Sequence, residues 1–343
     1  MPAQTITAGL TAARVIGTSH QQYTIVAQTG QFQAQVAGRL ANFTLGPEDF
    51  PTVGDWVLVR LPAHPTDLAT IERLVERQTV FVRKAVGRST SAQLVAANVD
   101  WLLLCMALDG NFNLRRLERY LAVAAASGAQ AAIVLTKADQ SADLAAAKAE
   151  VATVAGQTPV IIFDATRPDG LAALEALMQP RLTYALLGSS GVGKSTLINQ
   201  LTGSTNLATQ SVRSSDAHGR HTTTARQLLK LPNGSLVIDT PGMRELGLLE
   251  ADVDATFADI QALAAQCRFR DCQHQSEPGC AVQAALAAGE LTPERFASYQ
   301  QLKAEQADHQ LRGKARENAK IERMFGGKKQ MQAKMKAVRQ KRK

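Results

Sequence analysis

The sequence predicts a multidomain chain. An N-terminal β-barrel of the OB-fold type is followed by a central α/β domain on a mostly parallel sheet, then by a C-terminal helical region with a Cys/His knot and a basic tail. Three observations predict it. Residues 1–85 hold five short strand-like runs divided by Gly, Pro and polar clusters. Residues 86–250 alternate apolar strand-like runs with Ala/Leu-rich helical stretches. Residues 251–311 read as helix broken by three cysteines and a histidine, and 312–343 form the tail.

The five barrel strands are expected at AARVIG, YTIVAQ, FQAQVAG, GDWVLVRL and LATIERLV. Five short strands suit a small closed sheet, which abolishes exposed edges. Pattern alone does not separate an OB fold from another small barrel.

From about residue 98 the runs VDWLLLCMAL, AAIVLTKAD, TPVIIFDAT, TYALLG, ARQLLKLP and SLVIDTPG predict strands. Between them, LRRLERYLAVAAASG and SADLAAAKAEVATVAG predict helices. Near-continuous apolar strands alternating with helices mean a mostly parallel sheet covered on both faces. Ligands of such sheets bind at the carboxyl ends of the strands. Farther on, LTPERFASYQQL reads as a helix with Thr292 as N-cap and Pro293 at its first position.

Charge is uneven. Residues 312–343 carry 13 Lys+Arg against 2 Asp+Glu, whereas the other 311 residues carry 25 basic and 28 acidic side chains. A concentrated basic arm either binds a polyanion through counterion release or is a solvated tail. Gly326-Gly327 divides it into two candidate helices, and KAVGRSTSAQ (84–93) is a second stretch that could meet nucleic-acid phosphate. No run is long and apolar enough for a membrane span, and the first residues lack the pattern of a signal peptide. A cytoplasmic protein is therefore expected. Cys105 lies in an apolar strand and reads as a core residue.

The chemistry begins at GSSGVGKS, residues 188–195, a G-x-x-x-x-G-K-S loop between a strand and a helix. Such loops cradle phosphates on backbone N–H groups at a helix N-terminus, here Gly188, Ser189, Ser190, Gly191, Val192, Gly193, Lys194, Ser195 and Thr196. Lys194 is expected to reach the β- and γ-phosphates, and Ser195 to ligate Mg²⁺. In LVIDTPG, Asp239 at a strand end can hold the same Mg²⁺, and Gly242 offers an N–H to the γ-phosphate.

Thr136-Lys137-Ala138-Asp139 is close to the Asn-Lys-x-Asp pattern that recognises guanine. Asp139 would accept from guanine N1–H and N2–H₂, donors that adenine does not present as a pair. The Lys137 stem would lie over the base. Thr136 stands where most GTPases carry Asn, so the tether from that Asn to the P-loop is not predicted here. FDAT at 163–166 would add a guanine contact from the Ala165 N–H, with Asp164 in place of the commoner Ser.

TKAD precedes the P-loop by more than 50 residues, the reverse of the usual order. The order here is guanine motif, second guanine loop, P-loop, switch I, DTPG. This is the usual cycle cut elsewhere, a circular permutation, which the proximity of domain termini permits. Cys267-x₄-Cys272-x-His274-x₅-Cys280 supplies three thiolates and an imidazole. That donor set suits one tetrahedral Zn²⁺ with no open position, a structural site needed to fold a region with little core.

The permuted order, with AANVD at 96–100, GRHTTT at 219–224, DTPGMRE at 239–245 and CRFRDCQHQSEPGC at 267–280, resembles the bacterial RsgA (YjeQ) family. The resemblance covers nearly the whole chain to about residue 311. It implies an OB barrel, a circularly permuted GTPase domain and a zinc domain. It implies GTP hydrolysis with Mg²⁺, stimulated by the 30S ribosomal subunit, by a monomer that binds 16S rRNA late in subunit maturation. Met243 occupies the position where Ras-like enzymes carry the water-orienting Gln, and it cannot orient water, so slow turnover by the protein alone is expected. The family pattern offers His221 for that water, the alternative being a loop residue without a catalytic role. It also offers Thr223 for Mg²⁺, although spacing does not choose among Thr222, Thr223 and Thr224. Two other readings compete. A P-loop ATPase or small-molecule kinase is opposed by TKAD, and an RNA-binding module without turnover is favoured by Met243.

Overall fold

The computed structural model describes residues 9–19, 22–43, 49–64, 67–84, 92–203, 226–239 and 252–307. His221, Thr223, Gly242 and Met243, most of the 84–93 linker and the basic tail lie outside the described residues. The chain divides into two compact units, with the division in sequence between Thr256 and Phe257.

The first unit opens with β1 (Thr11–Ser19), β2 (Gln22–Ala27), β3 (Gly30–Val36), α1 (Gly38–Phe43), β4 (Trp56–Arg60) and β5 (Ala69–Leu74). All five predicted barrel strands form. They pair in the order β1-β2-β3-β5-β4, and β4 pairs back onto β1 to close the barrel. Every second residue points inward. Val15, Ile25, Val57, Val59 and Ile71 fill the interior, with Ala13, Ala34 and Ala69 where space is short.

The α/β part contains β8 (Trp101–Ala107), α2 (Leu114–Ser127), β9 (Gln130–Thr136), α3 (Leu144–Ala155), β10 (Val160–Ile162), α4 (Ala172–Leu177), β11 (Thr183–Leu187), α5 (Lys194–Thr202), β12 (Arg226–Lys230) and β13 (Leu236–Asp239). Its strand order is β10-β9-β8-β11-β13-β12, parallel except for β12. Strand β8 lies in the middle, with Leu102 through Met106 all buried, as its unbroken apolar run requires. Each such leucine contributes about 1.5–3 kcal/mol of transfer free energy. Helices α2 and α3 begin at Asn113 and Asp143, whose side chains accept from Arg116 N and Ala146 N.

The barrel and the α/β sheet are continuous, because β1 pairs antiparallel with β12 (Gly17 with Gln227, Thr18 with Arg226). A hairpin that periodicity did not reveal, β6 (Val80–Lys84) with β7 (Ala92–Ala97), runs between them in sequence. Here Gly54, at φ 92°, lies so close to Ala97 that a Cβ would sit 2.1 Å from the Ala97 carbonyl oxygen. The AANVD stretch then turns at Asn98 (φ 52°), whose side chain accepts from Gln78 N (2.9 Å) and donates to Gly54 O (3.1 Å). Arg14 of the barrel donates to Asn98 O (3.0 Å) and to Thr183 Oγ1 (3.2 Å), at the start of β11. Asp100 accepts from Thr183 N at 2.7 Å. The strand that leads into the P-loop is thus fixed at its first residue.

Before the boundary, α6 (Val253–Thr256) follows Asp252, whose N–H reaches Ala122 O of α2 at 2.9 Å. The second unit holds α7 (Ala258–Ala264), α8 (Ala281–Ala288) and a helix at 293–307, α9, with the Cys/His loop between α7 and α8. Thr292 Oγ1 accepts from Arg295 N at 3.3 Å, so the expected N-cap forms. The small core is built from Phe257, Ile260, Val282, Phe296, Tyr299 and Leu302. Arg295 covers the Phe257 ring and is paired with Asp259 at 2.7 Å.

Candidate functional site

The P-loop joins β11 to α5. Gly191 (φ 77°) and Gly193 (φ 96°) are left-handed, a backbone region that side chains enter at a cost. Gly188 is required for a different reason. A Cβ there would lie 2.8 Å from Cys105 O and 2.9 Å from the Val192 side chain, so the loop rests directly on β8. Helix α5 starts at Gly193 without a side-chain cap, which leaves its first N–H groups for an anion. Ser195 and Thr196 stand in that first turn, half-buried, while Ser190 is exposed.

Lys194 folds back over the loop and donates to Gly188 O (2.7 Å) and Ser189 O (2.8 Å). Burial lowers its ammonium below 10.5, while Cys105 and Asp239 act the other way. Burial likewise raises the Asp239 carboxyl above 3.8, against the pull of Lys194. Lys194 and the carboxylate at the end of β13 are thus both drawn out of water and lie within electrostatic reach of each other. Tyr120 of α2 is buried, which pushes its hydroxyl up to about 12.

The TKAD residues lie at the end of β9, two strands from the P-loop strand. Thr136 is 1% exposed, and its hydroxyl donates to Val192 O at 2.6 Å. The tether that was not predicted is therefore present, made by a shorter side chain. Threonine reaches because the Gly193 backbone comes close: a Cβ at Gly193 would lie 3.7 Å from Thr136 Cβ. Lys137 is left-handed (φ 54°, ψ 42°) and pairs with Asp109 at 2.8 Å. Asp139 is exposed on a short 3₁₀ turn, Ala138–Gln140. Ala165 O accepts from Gln200 of α5 at 3.0 Å, which ties the loop at 163–166 to the P-loop helix. Asp164 Oδ1 closes its loop by accepting from the Thr166 N–H (2.9 Å) and hydroxyl (2.6 Å).

In the second unit Cys267, Cys272, His274 and Cys280 present ligand atoms all within 4.8 Å of one another. His274 Nδ1 lies 3.6 Å from Cys267 Sγ and 3.4 Å from Cys280 Sγ, and the two sulfurs are 3.9 Å apart. A tetrahedron with Zn–S of about 2.3 Å and Zn–N of about 2.0 Å needs separations of about 3.8 and 3.5 Å. The residues fit zinc, and with four ligands the site is closed and structural. His274 is left-handed (φ 58°), and its carbonyl accepts from Gln283 at 2.6 Å. Glu277 accepts from the N–H groups of Gln273 (2.7 Å), Gln275 (2.8 Å) and Ser276 (3.1 Å), which holds its carboxyl down at about 2.

The family model described as RsgA GTPase matches residues 74–249. The small ribosomal subunit biogenesis GTPase RsgA 2 of Lactiplantibacillus plantarum is 48% identical over 323 residues, covering 94% of this chain and 91% of that one. The chain belongs to the RsgA GTPase family. The RsgA of Opitutus terrae is 49% identical over 295 residues, covering 82% and 80% of the two chains. Among solved structures, YjeQ from Thermotoga maritima matches with a TM-score of 0.64 at 24% identity, over 87% of this chain and 99% of that one. YloQ, described as a circularly permuted GTPase, matches with a TM-score of 0.60 at 24% identity, over 88% and 96%.

Family membership makes the chain a GTP hydrolase that works with Mg²⁺ on a circularly permuted RsgA fold. No helix among the described residues is long and apolar enough to cross a membrane. Sequence reasoning missed Asp109 and Glu277. Asp109 has a legible signal, an acidic residue at the end of the strand beside TKAD. Glu277 acts through backbone N–H groups whose positions only the fold supplies.

Proposed function

We propose that this chain is an assembly factor of the small ribosomal subunit. It binds the 30S particle and 16S rRNA in its GTP form, is activated there, and leaves after hydrolysis. The observation that carries the proposal is a juxtaposition. Thr136–Asp139, the P-loop and Asp239 lie at the carboxyl ends of β9, β11 and β13, in a chain 48% identical to a protein named for small-subunit biogenesis.

In this reading Gly188–Thr196 cradle the phosphates, and Lys194 leaves the loop carbonyls for the β- and γ-phosphates. Ser195, Asp239 and Thr223 hold Mg²⁺, and Gly242 meets the γ-phosphate. Asp139, Lys137 and the Ala165 N–H read guanine. His221 positions the attacking water when switch I orders on the ribosome. The barrel (1–85) and the zinc domain (251–311) grip rRNA or ribosomal protein, the GTPase domain (86–250) hydrolyses, and the basic tail (312–343) adds phosphate contacts. The protein acts as a cytoplasmic monomer. Co-sedimentation with purified 30S subunits tests the partner. Retention with a non-hydrolysable GTP analogue and loss with GDP is expected. Equal retention with both nucleotides, or none with either, overturns the proposal.

A further inference from the structure

We propose that Asp109 is a positioning residue for nucleotide binding, fastening Lys137 across the pocket before the nucleotide arrives. The proposal rests on the guanine reading of Thr136–Asp139. It begins with register. Ala107 of β8 is paired with Thr136 of β9, and Leu108 N donates to Thr136 O at 2.9 Å. The residues that follow, Asp109 and Lys137, therefore leave the sheet side by side. Lys137 enters the left-handed region, which non-glycine residues seldom adopt, and its ammonium meets Asp109 Oδ2 at 2.8 Å. The other carboxylate oxygen accepts from Asn111 N at 2.8 Å, so the acceptor is itself held by both oxygens. The pair is largely removed from water, with side-chain exposures of 29% and 15%. Burial alone would raise the Asp109 carboxyl, yet the bonds from Lys137 and Asn111 hold it below 3.8.

Sheet order gives this pair its meaning. Strand β8 stands between β9, which carries the base motif, and β11, which carries the phosphate loop. A Lys137 side chain drawn from the end of β9 to the end of β8 lies along the line from base to phosphates. Its methylenes form a ready surface for one face of the purine. An unfastened lysine would give up rotamer freedom at each binding event, whereas a fastened one does so on folding. The surface contacts the purine face rather than its edge, so it sets affinity and leaves selectivity to Asp139.

The test titrates the full-length protein with fluorescent GDP and IDP analogues in a double-mutant cycle. Asp109→Asn is expected to weaken both nucleotides alike, by about 3- to 10-fold. In a Lys137→Met background the same change is expected to cost less than about 2-fold. Equal losses in the two backgrounds would mean that Asp109 acts through its loop, and no loss in either would mean that it does not act at all. Either result overturns the proposal. Asp109→Glu keeps the charge and is expected to recover part of the loss, and a loss as large as that of Asn counts against the ion pair. Asp139→Asn separates the two claims. Unchanged GDP affinity in that variant sinks the guanine reading, whereas a loss there with no effect at Asp109 sinks only this inference.

Discussion

Thr136→Val removes one hydroxyl and almost no volume. The hydroxyl spends its proton on Val192 O at 2.6 Å, between residues 1% and 3% exposed. Valine fills the same space, so no cavity forms, but the Val192 carbonyl loses its donor where water does not reach. An orphaned buried acceptor costs about 1–3 kcal/mol. If the P-loop escapes that cost by leaving its nucleotide-ready shape, GDP affinity falls by about 5- to 150-fold. Titration with a fluorescent GDP analogue, beside a thermal melt, reads both effects. Thr136→Ser keeps the donor and is expected to lose much less. If Thr136→Val binds GDP within 2-fold of the parent and melts at the same temperature, the tether does not order the loop and the reasoning is wrong.

Three further predictions follow from the same geometry. Gly188→Ala puts a methyl 2.8 Å from Cys105 O, so the loop must lift from β8, and nucleotide binding is expected to be lost from a chain that still folds by circular dichroism. The raised Asp239 carboxyl must shed its proton before it can hold Mg²⁺; the Mg²⁺ dependence of GTP binding is therefore expected to fade, as pH falls, at a higher pH than an ordinary carboxylate near 3.8 would give, and Asp239→Asn is expected to abolish it at every pH. Glu277→Ala frees three backbone N–H groups of the Cys/His loop, so zinc is expected to be lost faster to a chelator, followed by loss of helix signal from 257–307; unchanged release kinetics would show that Glu277 does not brace the site.

Much of this was legible in the sequence because the signals are local. The five barrel strands and the α/β strands announce themselves by period-two patterns and by buried runs such as WLLLCMA in β8. The P-loop and Cys/His ligands are spacing motifs, and spacing survives without knowledge of the fold. Contacts between distant segments were not legible. Thr136 and Val192 are 56 residues apart, and no local rule says that a threonine reaches where asparagine is usual. The Gly54–Ala97 approach joins the barrel to β7, and the Arg14 bridge to Thr183 joins it to the P-loop strand, both through pairs far apart in sequence. The β6–β7 hairpin escaped notice because VFVRK and AQLVAA flank a polar linker that reads as a break.

The most direct test of the whole account is turnover of GTP and of ATP by the purified protein, with and without purified 30S subunits. The account predicts slow GTP hydrolysis alone, strong stimulation by the subunit, and no comparable ATP hydrolysis under either condition. GTP turnover that stays flat when subunits are added would contradict the ribosome as activator, and stimulated ATP turnover would contradict the guanine site built from Thr136 to Asp139.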